Sequence, residues 1–189
     1  MNIQIDISNV VLRTERLILR PFCQEDLNDL YDYASVDGVG QMAGWKPLES
    51  KEESQVILDL FVYGRKNFAI EYRGKVIGSL GIEQYDEARF PEFEDKKCRE
   101  IGFALSKEYW GQGLMQEAVN EVIRFLFEEI GLDVILCGHF VWNERSRRVQ
   151  EKCGFKYYRS GKRKTSMGTI EEEAFNILTK EDRRSDHRG

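Results

Sequence analysis

No stretch of this 189-residue chain reaches the roughly 20 consecutive apolar residues that a membrane-spanning helix needs. Its opening residues, Met-Asn-Ile-Gln-Ile-Asp, carry no basic segment ahead of an apolar one, so no secretory signal is expected. Cysteine is sparse. Cys23, Cys98, Cys137 and Cys153 stand far apart and form no C-x-x-C pair, which suits reduced thiols in a cytosol rather than a disulfide framework. Histidine is scarcer still: His139 falls in an apolar run and reads as a core residue, and His187 lies in the tail, so no His pair points to a metal. Lys and Arg (28) do not outnumber Asp and Glu (33), and a net charge of −5 argues against broad nucleic-acid binding. There is no G-x-x-x-x-G-K-[ST]. Gly111-x-Gly113 is also no dinucleotide fingerprint, because Gln116 stands where a third glycine belongs.

What remains suits a single domain over residues 1–180 with a polar tail at 181–189, since 41% hydrophobic content is enough for a core. Val10 to Arg20 alternates as a strand stopped by Pro21. Leu27, Leu30, Tyr31 and Ala34 fall at helical spacing. A second helix opens on the capping box Ser50-x-x-Glu53, buries Val56, Ile57, Leu60 and Phe61, and stops at Gly64. Strands are predicted over 68–72 and 76–84, then an exposed loop over 86–97 and a strand over 100–105. A helix over 113–130 follows, with Met115, Ala118, Val119, Val122, Leu126 and Ile130 on one stripe and Gly131 as its cap. The buried strand 134–141, a helix over 143–153 and strands over 154–159 and 169–178 complete a mixed α/β layout around one sheet.

Two segments carry chemistry. Tyr109-Trp-Gly-Gln-Gly-Leu-Met115 places two glycines between a strand and an amphipathic helix. Such a turn leaves backbone N–H groups pointing together at the positive end of the helix dipole, suited to a phosphate or pyrophosphate. Downstream, Asn143-Glu-Arg-Ser146-Arg-Arg-Val149-Gln-Glu-Lys152-Cys-Gly154-Phe155 reads as a short helix capped by Asn143. On the strand 100–105, Glu100, Gly102 and Ala104 share one face, and a carboxylate beside two very small residues suits a narrow cleft. Glu100 is therefore the leading general base, the alternative being a solvent-facing glutamate at a strand start.

In this order the segments resemble the GNAT superfamily of acetyl-CoA-dependent N-acetyltransferases, and most of all its RimJ/RimL type, which acetylates ribosomal-protein N-termini. The similarity begins at Leu12-Arg13-Thr14-Glu15-Arg16-Leu17-Ile18-Leu19-Arg20-Pro21 and ends near Phe175-Asn176-Ile177-Leu178-Thr179-Lys180-Glu181. In the superfamily's Gln/Arg-x-x-Gly-x-Gly/Ala motif, Trp110 takes the first position and Met115 the last, so two of three positions depart. The resemblance implies a mostly antiparallel sheet flanked by about four helices, and acetyl-CoA as cosubstrate with no metal. It also implies that Gly111, Gln112, Gly113, Leu114 and Met115 offer amides to the pyrophosphate beside Trp110. Phe103, Ala104, Leu105 and Asn143 would line the pantetheine arm. Ser146 would lie near the sulfur and protonate the leaving thiolate, unless it is only a first-turn residue bonded to Asn143.

Arg148 is the arginine of α-helix 143–153 best placed for a CoA phosphate, although Glu144–Arg148 and Arg147–Glu151 are also ordinary i,i+4 pairs. Tyr157 or Tyr158 could bring a phenol to the thioester, and Trp45 with the 38–48 segment could wall the acceptor cleft. With no cysteine in a suitable motif, direct transfer in a ternary complex is expected. The acceptor is expected to be a peptide α-amine; alternatives are a small amine (polyamine, amino acid or aminoglycoside) or a non-catalytic CoA-binding module. Dimers are common in this type, so a homodimer is one assembly the resemblance implies.

Overall fold

One sheet organises the computed structural model, which describes residues 1–186. Its strands are β1 (Leu12–Arg13), β2 (Leu17–Pro21), β3 (Asn67–Tyr72), β4 (Lys75–Glu83), β5 (Cys98–Leu105), β6 (Val134–Phe140), β7 (Lys156–Lys164) and β8 (Ile170–Thr179). They lie in the order β1-β2-β3-β4-β5-β6-β8-β7. Every neighbouring pair is antiparallel except β5 and β6, which run parallel because a helix crosses between them. The helices are α1 (Leu27–Ala34), α2 (Lys51–Gly64), α3 (Leu114–Phe125), α4 (Glu144–Lys152) and α5 (Lys180–Asp186). The mixed, mostly antiparallel sheet is thus present, with five helices where four were expected. Among the described residues no helix is long and apolar enough to cross a membrane.

The period-2 alternation of the strands divides the core. Phe68 and Ile70 of β3 face α3, whose stripe of Leu114, Met115, Ala118, Val119 and Val122 is buried against them. Ala69, between them, faces the layer of α1 and α2. A π-helical turn, Leu126–Ile130, ends α3, and Gly131 closes it in the left-handed region (φ 77°).

Five expectations need correcting. Val10–Arg20 is not one strand: Thr14 and Leu17 close a turn, with Thr14 Oγ1 accepting from Leu17 N at 2.9 Å, and β1 folds back on β2. Helix α2 buries Ser54 and Leu58, with Ile57 and Phe61 half-buried, while Val56 and Leu60 are exposed. The Phe22 and Phe61 rings meet at 4.9 Å and turn that face inward. Ser50 caps α2 as read, although the Glu53 carboxylate accepts from Glu49 N (2.7 Å) rather than from Ser50. The 86–97 segment is charged but not merely exposed, since Phe90 and Phe93 are buried with Tyr85 against Phe175. At the C-terminus α5 occupies the start of the expected tail; residues 187–189, with His187, lie outside the described residues.

The face assigned to α2 is testable by equilibrium denaturation. Leu58→Ala empties a fully buried site and should cost about 2–5 kcal/mol. Leu60→Ala should stay within about 0.5 kcal/mol. The reverse order would mean that α2 packs through its other stripe.

Candidate active site

Strands β5 and β6 pair over only three residues, ending at Glu100↔Leu136. Beyond that point β5 stays on β4 as far as Gly78↔Leu105, and β6 stays on β8 as far as Phe140↔Glu173. The two strands therefore part, leaving edges that face each other without a ladder between them. The 3₁₀ turn Gly40–Ala43 covers the opening. It is pinned from both sides: Asn143 Nδ2 donates to Met42 O at 3.0 Å, and Ser166 donates from N and Oγ to Gly44 O at 3.0 and 3.2 Å.

A cleft of about 360 Å³ runs from the opening along the start of α3. Gly111 and Gly113 both adopt left-handed backbone (φ 77° and 76°), which turns the chain so that α3 presents its first N–H groups to the cleft. Met115 does not crowd this turn, because its side chain is buried in the core below. A clamp from the β1–β2 turn holds the loop. Arg16 donates from Nη1 to Gln112 O (3.0 Å) and from Nε to Glu117 (2.6 Å), and Thr14 Oγ1 donates to the same carboxylate (2.6 Å). That clamp was not foreseen, although Glu117 in the first turn of α3 was a visible signal for a partner.

Phe103, Ala104, Leu105, Trp110, Gly111, Gly113, Leu114, Met115, Asn143, Ser146 and Arg148 all line the cleft. Gln112 does not; its carbonyl faces Arg16 and its side chain donates to Glu108 O. The Trp110 indole donates to Leu105 O at 2.8 Å and lies 4.7 Å beneath the Arg145 guanidinium, so Arg145 joins Arg148 at the rim. Glu144 pairs with Arg147 instead of Arg148.

Asn143 caps α4 by accepting from Ser146 N at 3.1 Å. The Ser146 hydroxyl is engaged differently. Its Oγ accepts from Gln150 Nε2 at 3.0 Å, and Gln150 Oε1 accepts in turn from Asn176 Nδ2 at 2.8 Å. Both amides are buried. With the oxygen already accepting, the hydroxyl proton is free to point into the cleft.

Glu100 faces the same opening from β5. Ser146 and Glu100 both line a smaller cavity of about 80 Å³, which shares Met42, Phe103 and Ser146 with the cleft. Glu100 accepts from Arg163 Nη2 at 3.0 Å, and Arg163 also bridges to Glu173 at 2.7 Å. Arg89 stands 3.7 Å from the other Glu173 oxygen. Burial raises Glu100 above its ordinary value of 4.5, and Arg163 opposes the shift without cancelling it. Arg163 and Glu173 went unpredicted, although Arg159 and Arg163 keep even spacing in β7. His139 is buried, and desolvation lowers it, favouring the neutral ring. Neither Tyr157 nor Tyr158 lines the cleft or the Glu100 cavity. Tyr158 donates to Glu92, and Tyr157 is exposed beside Ser160.

Residues 16–156 match the acetyltransferase (GNAT) domain family. The uncharacterized N-acetyltransferase YoaA of Bacillus subtilis (strain 168) is 30% identical over 153 residues, covering 77% of this chain and 82% of YoaA. Two solved structures share the fold. The Microcin C7 self-immunity acetyltransferase MccE, in complex with acetyl-CoA and AMP, matches with TM-score 0.74 and 16% identity over 88% of this chain and 93% of its own. Ribosomal-protein-S5-alanine acetyltransferase from Vibrio fischeri matches with TM-score 0.71 and 23% identity over 92% and 98%.

Calorimetry with acetyl-CoA tests the glycine turn and its clamp. Gly113→Val forces a β-branched residue into left-handed backbone and should abolish binding. Arg16→Ala should weaken it about tenfold, the loss of roughly 1.4 kcal/mol from charged hydrogen bonds. Unchanged affinity in Gly113→Val would place the phosphates elsewhere.

Proposed function

We infer a direct acetyl transfer from one premise: this chain belongs to the acetyltransferase (GNAT) family and is an acetyl-CoA-dependent N-acetyltransferase. Bound acetyl-CoA supplies an activated thioester carbonyl. The amides of residues 111–115 would hold its pyrophosphate at the positive end of α3, with Trp110, Arg145 and Arg148 at the rim. Phe103, Ala104, Leu105 and Asn143 would line the pantetheine arm, whose amides could pair with the open edge of β5. The single observation carrying the reaction is that Glu100 and Ser146 line one small cavity where β5 and β6 part.

In this reading the acceptor nitrogen attacks the carbonyl carbon; the N–C bond forms and the C–S bond breaks. Glu100 takes the proton that the nitrogen loses. Ser146 Oγ–H protonates the departing sulfur, its oxygen held in place by Gln150. A cavity of about 80 Å³ has room for water, which can return the Glu100 proton to Ser146.

The acceptor in this reading is an α-amine, which titrates about 2.5 units below a lysine amine and so needs less help at neutral pH. The S5-alanine enzyme, by its name, acts on a ribosomal protein and supports a peptide N-terminus. A small-molecule amine is favoured instead by a cavity of about 490 Å³ beyond Glu100.

A pH–rate profile tests the base. Because burial raises Glu100, the group is protonated and idle below that raised value and ionised above it, so kcat/KM should climb with pH through it. Glu100→Gln should lower turnover about 100-fold, remove that limb and leave acetyl-CoA affinity intact. Arg163→Met removes the opposing cation, so it should move the limb to higher pH. An unchanged limb in Glu100→Gln would rule Glu100 out as the base.

A further inference from the structure

We propose that the acceptor carries its primary amine on a bulky apolar or aromatic body, housed between α1, α2 and the sheet. The inference deepens the reading above and rests on Glu100 being where the amine is delivered. The space concerned is a cavity of about 490 Å³, within the roughly 300–1,000 Å³ that encloses small organic ligands. Leu30, Tyr33, Trp45, Leu48, Ile57 and Phe61 form its apolar wall. An alanine or serine side chain would leave most of it empty.

The cavity adjoins the reaction centre. Ala43, Gly102 and Phe103 line both it and the smaller cavity of Glu100 and Ser146, and Ala104 is shared with the cofactor cleft. Gly81 and Gly102 pair across β4 and β5, two residues from the pair Glu83↔Glu100; an added Cβ at Gly102 would meet no atom within 4 Å, whereas the Asn67 and Glu83 side chains lie over Gly81. Trp45 is held in the wall by folding back on Gly40, where an added Cβ would lie 2.2 Å from the indole. The charges at its edge are matched, Lys46 pairing with Glu53 and Glu83 with Lys66, so the apolar wall sets its character. The Tyr33 hydroxyl is buried without a hydrogen bond of good geometry, although Ser79 lies close enough to counter part of the rise that burial causes.

The test compares kcat/KM for short peptides beginning with Phe, Leu, Ala or Ser, for phenylalanine amide and 2-phenylethylamine, and for spermidine. Acceptors with aromatic or large aliphatic groups should exceed the Ala and Ser peptides by about 50-fold, the scale set by burying several methylenes in an apolar pocket. The peptide and free-amine arms identify which source supplies that body. Gly102→Val should erase most of the preference while acetyl-CoA still binds, because its new Cβ meets no atom within 4 Å and fills the junction. Ala or Ser peptides, or spermidine, as the best acceptors would overturn the proposal, as would an undiminished preference in Gly102→Val.

Calorimetry of 2-phenylethylamine against the CoA-bound protein separates this inference from the catalytic one. Binding that Gly102→Val abolishes, with no turnover of any acceptor, would support the cavity assignment and overturn the catalytic reading. No binding at all would overturn the cavity assignment.

Discussion

The early end of the β5–β6 ladder governs the site. Three residue pairs join the strands, and past Glu100 and Leu136 each keeps only its outer neighbour. A sheet normally satisfies its backbone by pairing both edges of an inner strand, so an unpaired interior edge has to find other partners. Here the gap lies beside the glycine turn on one face of the sheet and the large apolar cavity on the other. In the proposed reading an extended thioester arm would fill such a gap, supplying the hydrogen bonds that a strand would have made. The same separation sets Glu100 and Ser146 around one space instead of burying them in a continuous ladder.

Holding that gap open depends on side-chain amides more than on charge. Asn143 ends one helix turn and grips the Met42 carbonyl, joining α4 to the covering turn. Gln150 occupies the next layer, bonded to Gly138, Ser146 and Asn176. A buried network of this kind fixes rotamers because each unmade hydrogen bond would leave a desolvated polar group. Charge takes over further out. Arg16 with Glu117 steadies the glycine turn, and Arg163 stands between Glu100 and Glu173, two carboxylates that burial would otherwise set against each other. That arrangement keeps Glu100 half-buried and next to solvent-sized space, its carboxyl raised less than burial alone would raise it.

Much of this was legible in the sequence because the signals were local. The alternation from Glu100 to Leu105, the paired glycines before an amphipathic stripe and the Asn143 cap each depend on neighbours within one or two turns. What could not be read was set by long-range pairing. Arg163 reaches Glu100 only through the register of β7, β8 and β6, and Gln150 looked like any polar position on a short helix. Helix α2 offered two apolar stripes of similar strength, and packing against Phe22 chose the one through Leu58. The charges of 86–97 likewise hid Phe90 and Phe93, whose burial depends on Phe175 from the far end of the chain.

The most direct test of the account is a crystal structure with a non-hydrolysable acetyl-CoA analogue. The arm should run along the open edge of Phe103 to Leu105, with its sulfur beside Ser146 and the acyl carbon facing the cavity of Glu100. An acyl group directed away from the β5–β6 opening, or a pyrophosphate away from Gly111–Met115, would contradict it.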